Sequence, residues 1–125
     1  MNKTIDSKGK SPKAGPAVAA QILHVPANTD PEACRLFERE INEALASQPR
    51  LVVVDLSEAS SVSTVILGLI LKLRCRATES GGEVRLAGVQ PMVRRVLDIC
   101  RLDRLFTVFS SPAEALDANQ TASAI

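Results

Sequence analysis

Tryptophan and tyrosine are absent from this 125-residue chain, and phenylalanine occurs three times. Too few rings are present to build the base-stacking platforms of single-strand binders. Net charge is nearly absent as well: fifteen Lys and Arg face fourteen Asp and Glu, leaving +1 at pH 7. Such a balance supplies no field to draw the chain onto nucleic acid or an anionic membrane, and no nucleic-acid partner is expected. The longest apolar run, Val65 to Leu71, continues to Leu73 past Lys72. It falls short of the roughly 20 residues of a membrane span, so direct membrane insertion is not expected. His24 is the single histidine, and Cys34, Cys75 and Cys100 lie far apart with no C-x-x-C pair. Neither a metal site nor a disulfide framework follows from that set. Each cysteine falls among apolar residues of a helix-like segment, where a free thiol acts as a small hydrophobe. The first methionine is followed by Lys and Ser rather than the apolar core of a secretory signal, and a reducing cytoplasm is the expected location.

What is present is one domain's worth of alternating pattern. Residues 1–16 hold four Lys, two Ser, two Gly and two Pro with one large aliphatic side chain, Ile5, which cannot offset the entropy of ordering them, so a mobile tail is expected. From Ala17 a β-prone run with Val18, Ile22, Leu23 and Val25 closes at Pro26. Thr29 or Asp30 then caps a helix from Pro31 to about Ala46, with Leu36, Phe37, Ile41, Ala44 and Leu45 as its apolar stripe. Leu51 to Leu56 is a continuous β-branched run, the mark of a central strand covered on both faces. A second helix starts around Val62-Ser63-Thr64, runs to about Glu79 and stops at Ser80-Gly81-Gly82. Glu83 to Ala87 alternates polar and apolar, which suits a strand nearer the sheet edge. Pro91 opens a third helix with Met92, Val93, Val96, Leu97 and Cys100 as its inward stripe. Phe106 to Phe109 is a short strand, and Ser111 caps a last helix from Pro112 to about Asp117. The order is α/β, with right-handed crossovers and no internal repeat.

A doubly wound order prompts a search for nucleotide fingerprints, but no strand is followed by G-x-G-x-x-G or G-x-x-x-x-G-K-S/T, and no cofactor is expected. His24 reads as structural or surface-exposed. Asp55, at a strand end where α/β enzymes place carboxylates, has no evident acid, base or metal partner, and its expected role is to fix a loop by hydrogen bonds. No catalytic residue is therefore assigned, and the chain is not expected to be an enzyme. The second helix start is different. Ser61, Ser63 and Thr64 offer capping or phospho-acceptor hydroxyls, and the following two turns are apolar on all sides, whereas a sheet covers one stripe. Gly68, unfavourable inside a helix, is expected to permit close approach to the sheet or to another chain. Ser60, Ser61, Val62, Ser63, Thr64, Val65, Ile66 and Gly68 form the candidate docking surface.

Four stretches together have a familiar form: Val52 to Ser57, the Ser63-Thr64 helix start, Gly81 to Pro91, and Val93 to Leu97 followed by Leu102-Asp-Arg-Leu-Phe106. They resemble the STAS domain family of sulphate transporters and anti-sigma factor antagonists, over residues from about 17 to 118. The resemblance implies an α/β fold, a small mixed and mostly parallel sheet of about four to five strands with about four helices. It implies a domain over 17–120 between tails at 1–16 and 121–125. Freestanding members this short are mostly bacterial anti-sigma factor antagonists, which implies a protein-binding regulatory module. Its partner would be an anti-sigma factor or serine-threonine protein kinase, with phosphorylation at the second helix start controlling release. The family's Asp-Ser-Ser/Ala-Gly falls on Ser63-Thr64-Val65-Ile66, which puts the acceptor on Thr64, with Ser63 beside it as a second hydroxyl. Ser63 in place of aspartate removes a carboxylate, and Ile66 in place of glycine puts bulk where a partner would approach. These departures leave a non-switching scaffold subunit of a signalling or lipid-transport complex as the alternative, and a homodimer open.

Overall fold

The computed structural model describes residues 20–117. The expected tails at 1–16 and 121–125, and Val18, lie outside the described residues. The elements follow the expected alternation: β1 (Ala20–His24), α1 (Pro31–Ala46), β2 (Leu51–Asp55), α2 (Thr64–Glu79), β3 (Glu83–Ala87), α3 (Pro91–Ile99), β4 (Thr107–Phe109) and α4 (Pro112–Asp117), with a 3-10 turn at Leu102–Arg104. The four strands stand in the order β1-β2-β3-β4, and every neighbouring pair is parallel.

That order does not reverse among the described strands, so the sheet is singly rather than doubly wound. Right-handed crossovers between successive neighbours carry each connecting helix to the same face. Apolar side chains of α1, α2 and α3 accordingly share one core with Val52 and Val54 of β2 and Val84 and Leu86 of β3. On the opposite face Val53 and Ala87 pack under Ala115 of α4. Without a reversal, the described strands form no switch-point crevice of the kind where open α/β sheets bind nucleotides.

Local chemistry sets the ends of the helices. Asp30 accepts the Ala33 N–H at 2.8 Å and Pro31 fills the first turn of α1, where its missing N–H is no loss. α2 ends at Gly81, whose φ of +86° is the left-handed geometry expected of that stop. Gly82 follows because a Cβ there would stand 2.6 Å from the Pro49 carbonyl oxygen.

Several burial expectations require correction. β3 is interior to the sheet, not near its edge, and Arg85 in its middle is 3% exposed. The alternation that suggested a solvated face is instead a buried ion pair. Arg85 Nε donates to Glu83 Oε2 at 2.9 Å, Nη1 donates to the Ala115 carbonyl at 2.6 Å, and the guanidinium lies over the Phe109 ring. In α3 only Val93 and Leu97 of the expected stripe are buried. Met92 is 58% exposed and Cys100 is exposed, because each residue turns the helix by about 100° and Met92 stands off the Val93–Leu97 line. Leu36 is displaced from Phe37 on α1 in the same way and is 46% exposed. Cys75 is also exposed, so burial as a small hydrophobe holds for neither Cys75 nor Cys100; all three thiols are free.

Candidate functional site

The start of α2 is built by the loop that leaves the carboxyl end of β2. Leu56 and Ala59 are buried and anchor this loop, while Ser57, Glu58, Ser60 and Ser61 are exposed. Asp55 sets the loop's first turn: its Oδ1 accepts the Ser57 N–H at 3.0 Å, the loop-fixing role expected of it. The Gln90 side chain donates to the Ser57 carbonyl at 2.6 Å, so the segment before α3 braces the same loop. Gly88 has φ +67°, and a Cβ there would stand 2.9 Å from Ser57 Cβ and 3.2 Å from Asp55 Oδ1. Its lack of a side chain is what lets the two loops meet.

Ser63 is the N-cap of α2: its Oγ accepts the Ile66 N–H at 3.1 Å, and its backbone is extended at φ −92°, ψ 166°. The capping function is thereby assigned to Ser63. Thr64, the first helical residue, is exposed, and among the described residues its hydroxyl has no hydrogen-bond partner. Of the three hydroxyls expected to cap or accept phosphate, Ser63 is engaged and half-buried, while Thr64 and Ser61 are exposed.

The rest of the predicted surface divides. Val65 is 56% exposed beside Thr64, and Val62 is half-buried against the core. Ile66 is fully buried and cannot face a partner, which corrects its place in the docking surface; Ile70, Leu73 and Ala77 continue its stripe into the core. Burying each such Ile or Leu is worth about 1.5–3 kcal/mol as an upper figure, which fixes the rotation of the helix and hence the outward aim of Thr64. Gly68 is exposed with open space where a Cβ would stand. Of the two roles expected of it, close packing on the sheet is therefore not the one it serves. The apolar run is explained by the shared core: Ile66 and Ile70 are buried in it, while Leu67, Leu69 and Leu71 on the flanks are half-buried against it.

His24 and Asp55 were singled out separately, and the structure brings them together. They are register partners across β1 and β2, and His24 Nδ1 lies 3.1 Å from Asp55 Oδ2. The imidazole is 70% exposed and the carboxylate 10%. No sequence spacing joins them, since they stand 31 positions apart; only the adjacency of β1 and β2 does. Arg85, by contrast, is a residue that the sequence pattern did not mark. Among the described residues no group of three or more His, Cys, Asp or Glu side chains could hold a metal ion, and no helix is long and apolar enough to cross a membrane.

Comparison with known proteins adds three likenesses and a family match. The STAS domain model matches residues 16–115. A STAS-domain containing protein of Pseudomonas aeruginosa (strain UCBPP-PA14) is 36% identical over 70 residues, 56% of this chain and 69% of that protein. A protein of Thermotoga neapolitana, named as a candidate anti-sigma factor antagonist, is 29% identical over 90 residues, 71% of this chain and 80% of its own. The structure of the anti-sigma factor antagonist SpoIIAA in its unphosphorylated form aligns with a TM-score of 0.69 at 17% identity, covering 86% of this chain and 92% of that one. That last likeness is one of fold.

Proposed function

Because the chain belongs to the STAS domain family, we propose that it is an anti-sigma factor antagonist. In this reading it is a binding module rather than an enzyme, works in the cytoplasm and sequesters an anti-sigma factor or serine-threonine kinase. Phosphorylation of Thr64 at the start of α2 releases it. The observation that carries the reading is the division of labour at that start: Ser63 caps the helix while the Thr64 hydroxyl stands exposed and unpartnered among the described residues. The names of its relatives support the general role.

Physical chemistry supports a switch without unfolding. A phosphate adds about −1.5 to −2 charges. At a helix N-terminus that charge faces the positive end of the dipole, so the fold tolerates it. A partner surface seated on Ser60, Ser61, Thr64, Val65 and Gly68 would have to desolvate the phosphate. A penalty of about 3–4 kcal/mol would lower affinity a few hundredfold. Both departures from the family pattern are compatible with this. Serine caps a helix as well as aspartate does, and Ile66 points into the core, so its bulk leaves the approach to Thr64 open. The test is incubation with an anti-sigma kinase and ATP, followed by mass spectrometric mapping. Phosphate on Thr64 and loss of the complex are expected. A complex that forms and persists with no modification of Thr64 or Ser63 would reject the switch and favour the scaffold reading.

A further inference from the structure

A second group of exposed side chains lies on α3 and the turn that follows it. Ile99 is 73% exposed, Met92 58% and Leu105 38%. With about 100° per residue, Met92, Arg95 and Ile99 share one helix face, beside the buried Val93–Leu97 stripe. Arg94 is held by Asp98 at 3.7 Å. Arg95, Arg101 and Arg104 are exposed and have no carboxylate within ion-pair distance among the described residues. Along that face Arg95 stands between Met92 and Ile99, and Arg101, Arg104 and Leu105 follow in the turn after the helix, so exposed apolar and cationic side chains alternate along the segment.

Arg101 carries an independent signal. It follows the C-cap of α3 with φ 62° and ψ 24°, in the left-handed region. Glycine is the usual occupant of that position because a Cβ there is sterically penalised. A long side chain held in a conformation that glycine would adopt without strain points to a use for the side chain.

We propose that this face docks an acidic amphipathic segment of another protein. Its apolar residues would lie over Met92, Ile99 and Leu105, and its carboxylates on Arg95, Arg101 and Arg104. Met and Arg are enriched in protein interfaces and Lys is depleted, and a guanidinium donates to a carboxylate through a bidentate fork. An anionic bilayer fits less well. The face carries none of the aromatic anchors of interfacial helices. The surface is separate in residues from the Thr64 site and does not depend on phosphorylation.

The test titrates the full chain with a labelled amphipathic peptide of Leu and Glu at helical spacing, with its Leu and Lys counterpart, and with phosphatidylserine vesicles. The Glu peptide is expected to bind, and the Lys peptide to bind at least about tenfold more weakly. The double variant Arg95→Glu, Arg104→Glu is expected to lower Glu-peptide affinity about tenfold or more while keeping the circular dichroism of the parent. Arg101→Gly separates structure from recognition, since it is expected to melt at a higher temperature yet bind the Glu peptide more weakly. Equal binding of the two peptides, no binding of the Glu peptide, or binding of vesicles alone would overturn the proposal. So would sedimentation showing that the face joins two copies of this chain.

Discussion

Arg85 Nη1 donates to the carbonyl oxygen of Ala115 at 2.6 Å, joining the interior strand β3 to the last described helix. The contact spans 30 residues of sequence and crosses the sheet face opposite the main core. A charge of this kind, 3% exposed, needs compensation, and Glu83, the Ala115 carbonyl and the Phe109 ring are among the groups that supply it.

Removing that charge tests the arrangement. Loss of one member of a buried pair costs about 3–5 kcal/mol, but Glu83 is 28% exposed and can rehydrate. Arg85→Ala is expected to destabilise the fold by about 3 kcal/mol, with added loss of packing. Arg85→Met, which keeps the volume, should lose about half as much. Urea denaturation of both variants measures the difference; equal losses would mean that volume, not the charge pair, is irrelevant to α4 docking.

Ser63 and Thr64 are expected to separate stability from recognition. Ser63→Ala removes the cap and should cost about 1 kcal/mol in urea melts. Thr64→Ala removes an exposed hydroxyl and should stay within about 0.5 kcal/mol of the parent. Thr64→Glu places a negative charge at the positive end of α2 and should raise stability by about 0.3–1 kcal/mol while weakening partner binding. A destabilised Thr64→Glu would contradict the helix-dipole account.

Two glycines should respond with opposite sign. Gly68→Ala meets nothing within 4 Å and replaces a poor helix former, so a gain of about 0.4–1 kcal/mol is expected. Gly82→Ala would drive its Cβ to 2.6 Å from a backbone oxygen and should lower the denaturation midpoint. If Gly68→Ala also weakens partner binding, the exposed side of α2 takes part in docking.

Glu114 supplies a pH test. Its carboxyl is held below the ordinary glutamate value, first by the Ser110 backbone N–H and then by the Ser110 hydroxyl, both donating to Oε1. A depressed value in the folded state means a contribution to stability that is present above the unfolded carboxyl's pKa and lost as pH falls through the folded one. In an NMR titration Ser110→Ala should move Glu114 upward only part of the way, because the backbone donor remains. A full return to the ordinary value would show that the hydroxyl dominates.

The alternation of β-branched runs with capped, amphipathic segments established the elements and most of their boundaries, because caps, Pro and Gly act within a few residues of where they stand. The chain's own residues also marked the helix start at Ser63 and Thr64, and the Leu51 to Leu56 run announced an interior strand. Periodicity was less informative at Leu36, Met92 and Cys100, since an apolar residue one step from the buried stripe reads as part of it until the neighbouring surface is known.

Sequence alone determined which segments are helix or strand and which hydroxyls sit at the entrance to α2, as these depend on local propensity and nearest-neighbour hydrogen bonds. Tertiary structure decided what faces what: that Ile66 turns inward while Thr64 turns outward, that His24 meets Asp55, and that Arg85 is enclosed. Those outcomes depend on strand order and on helix rotation about the sheet. Both are set by the summed burial of distant side chains, which no short stretch of the chain contains.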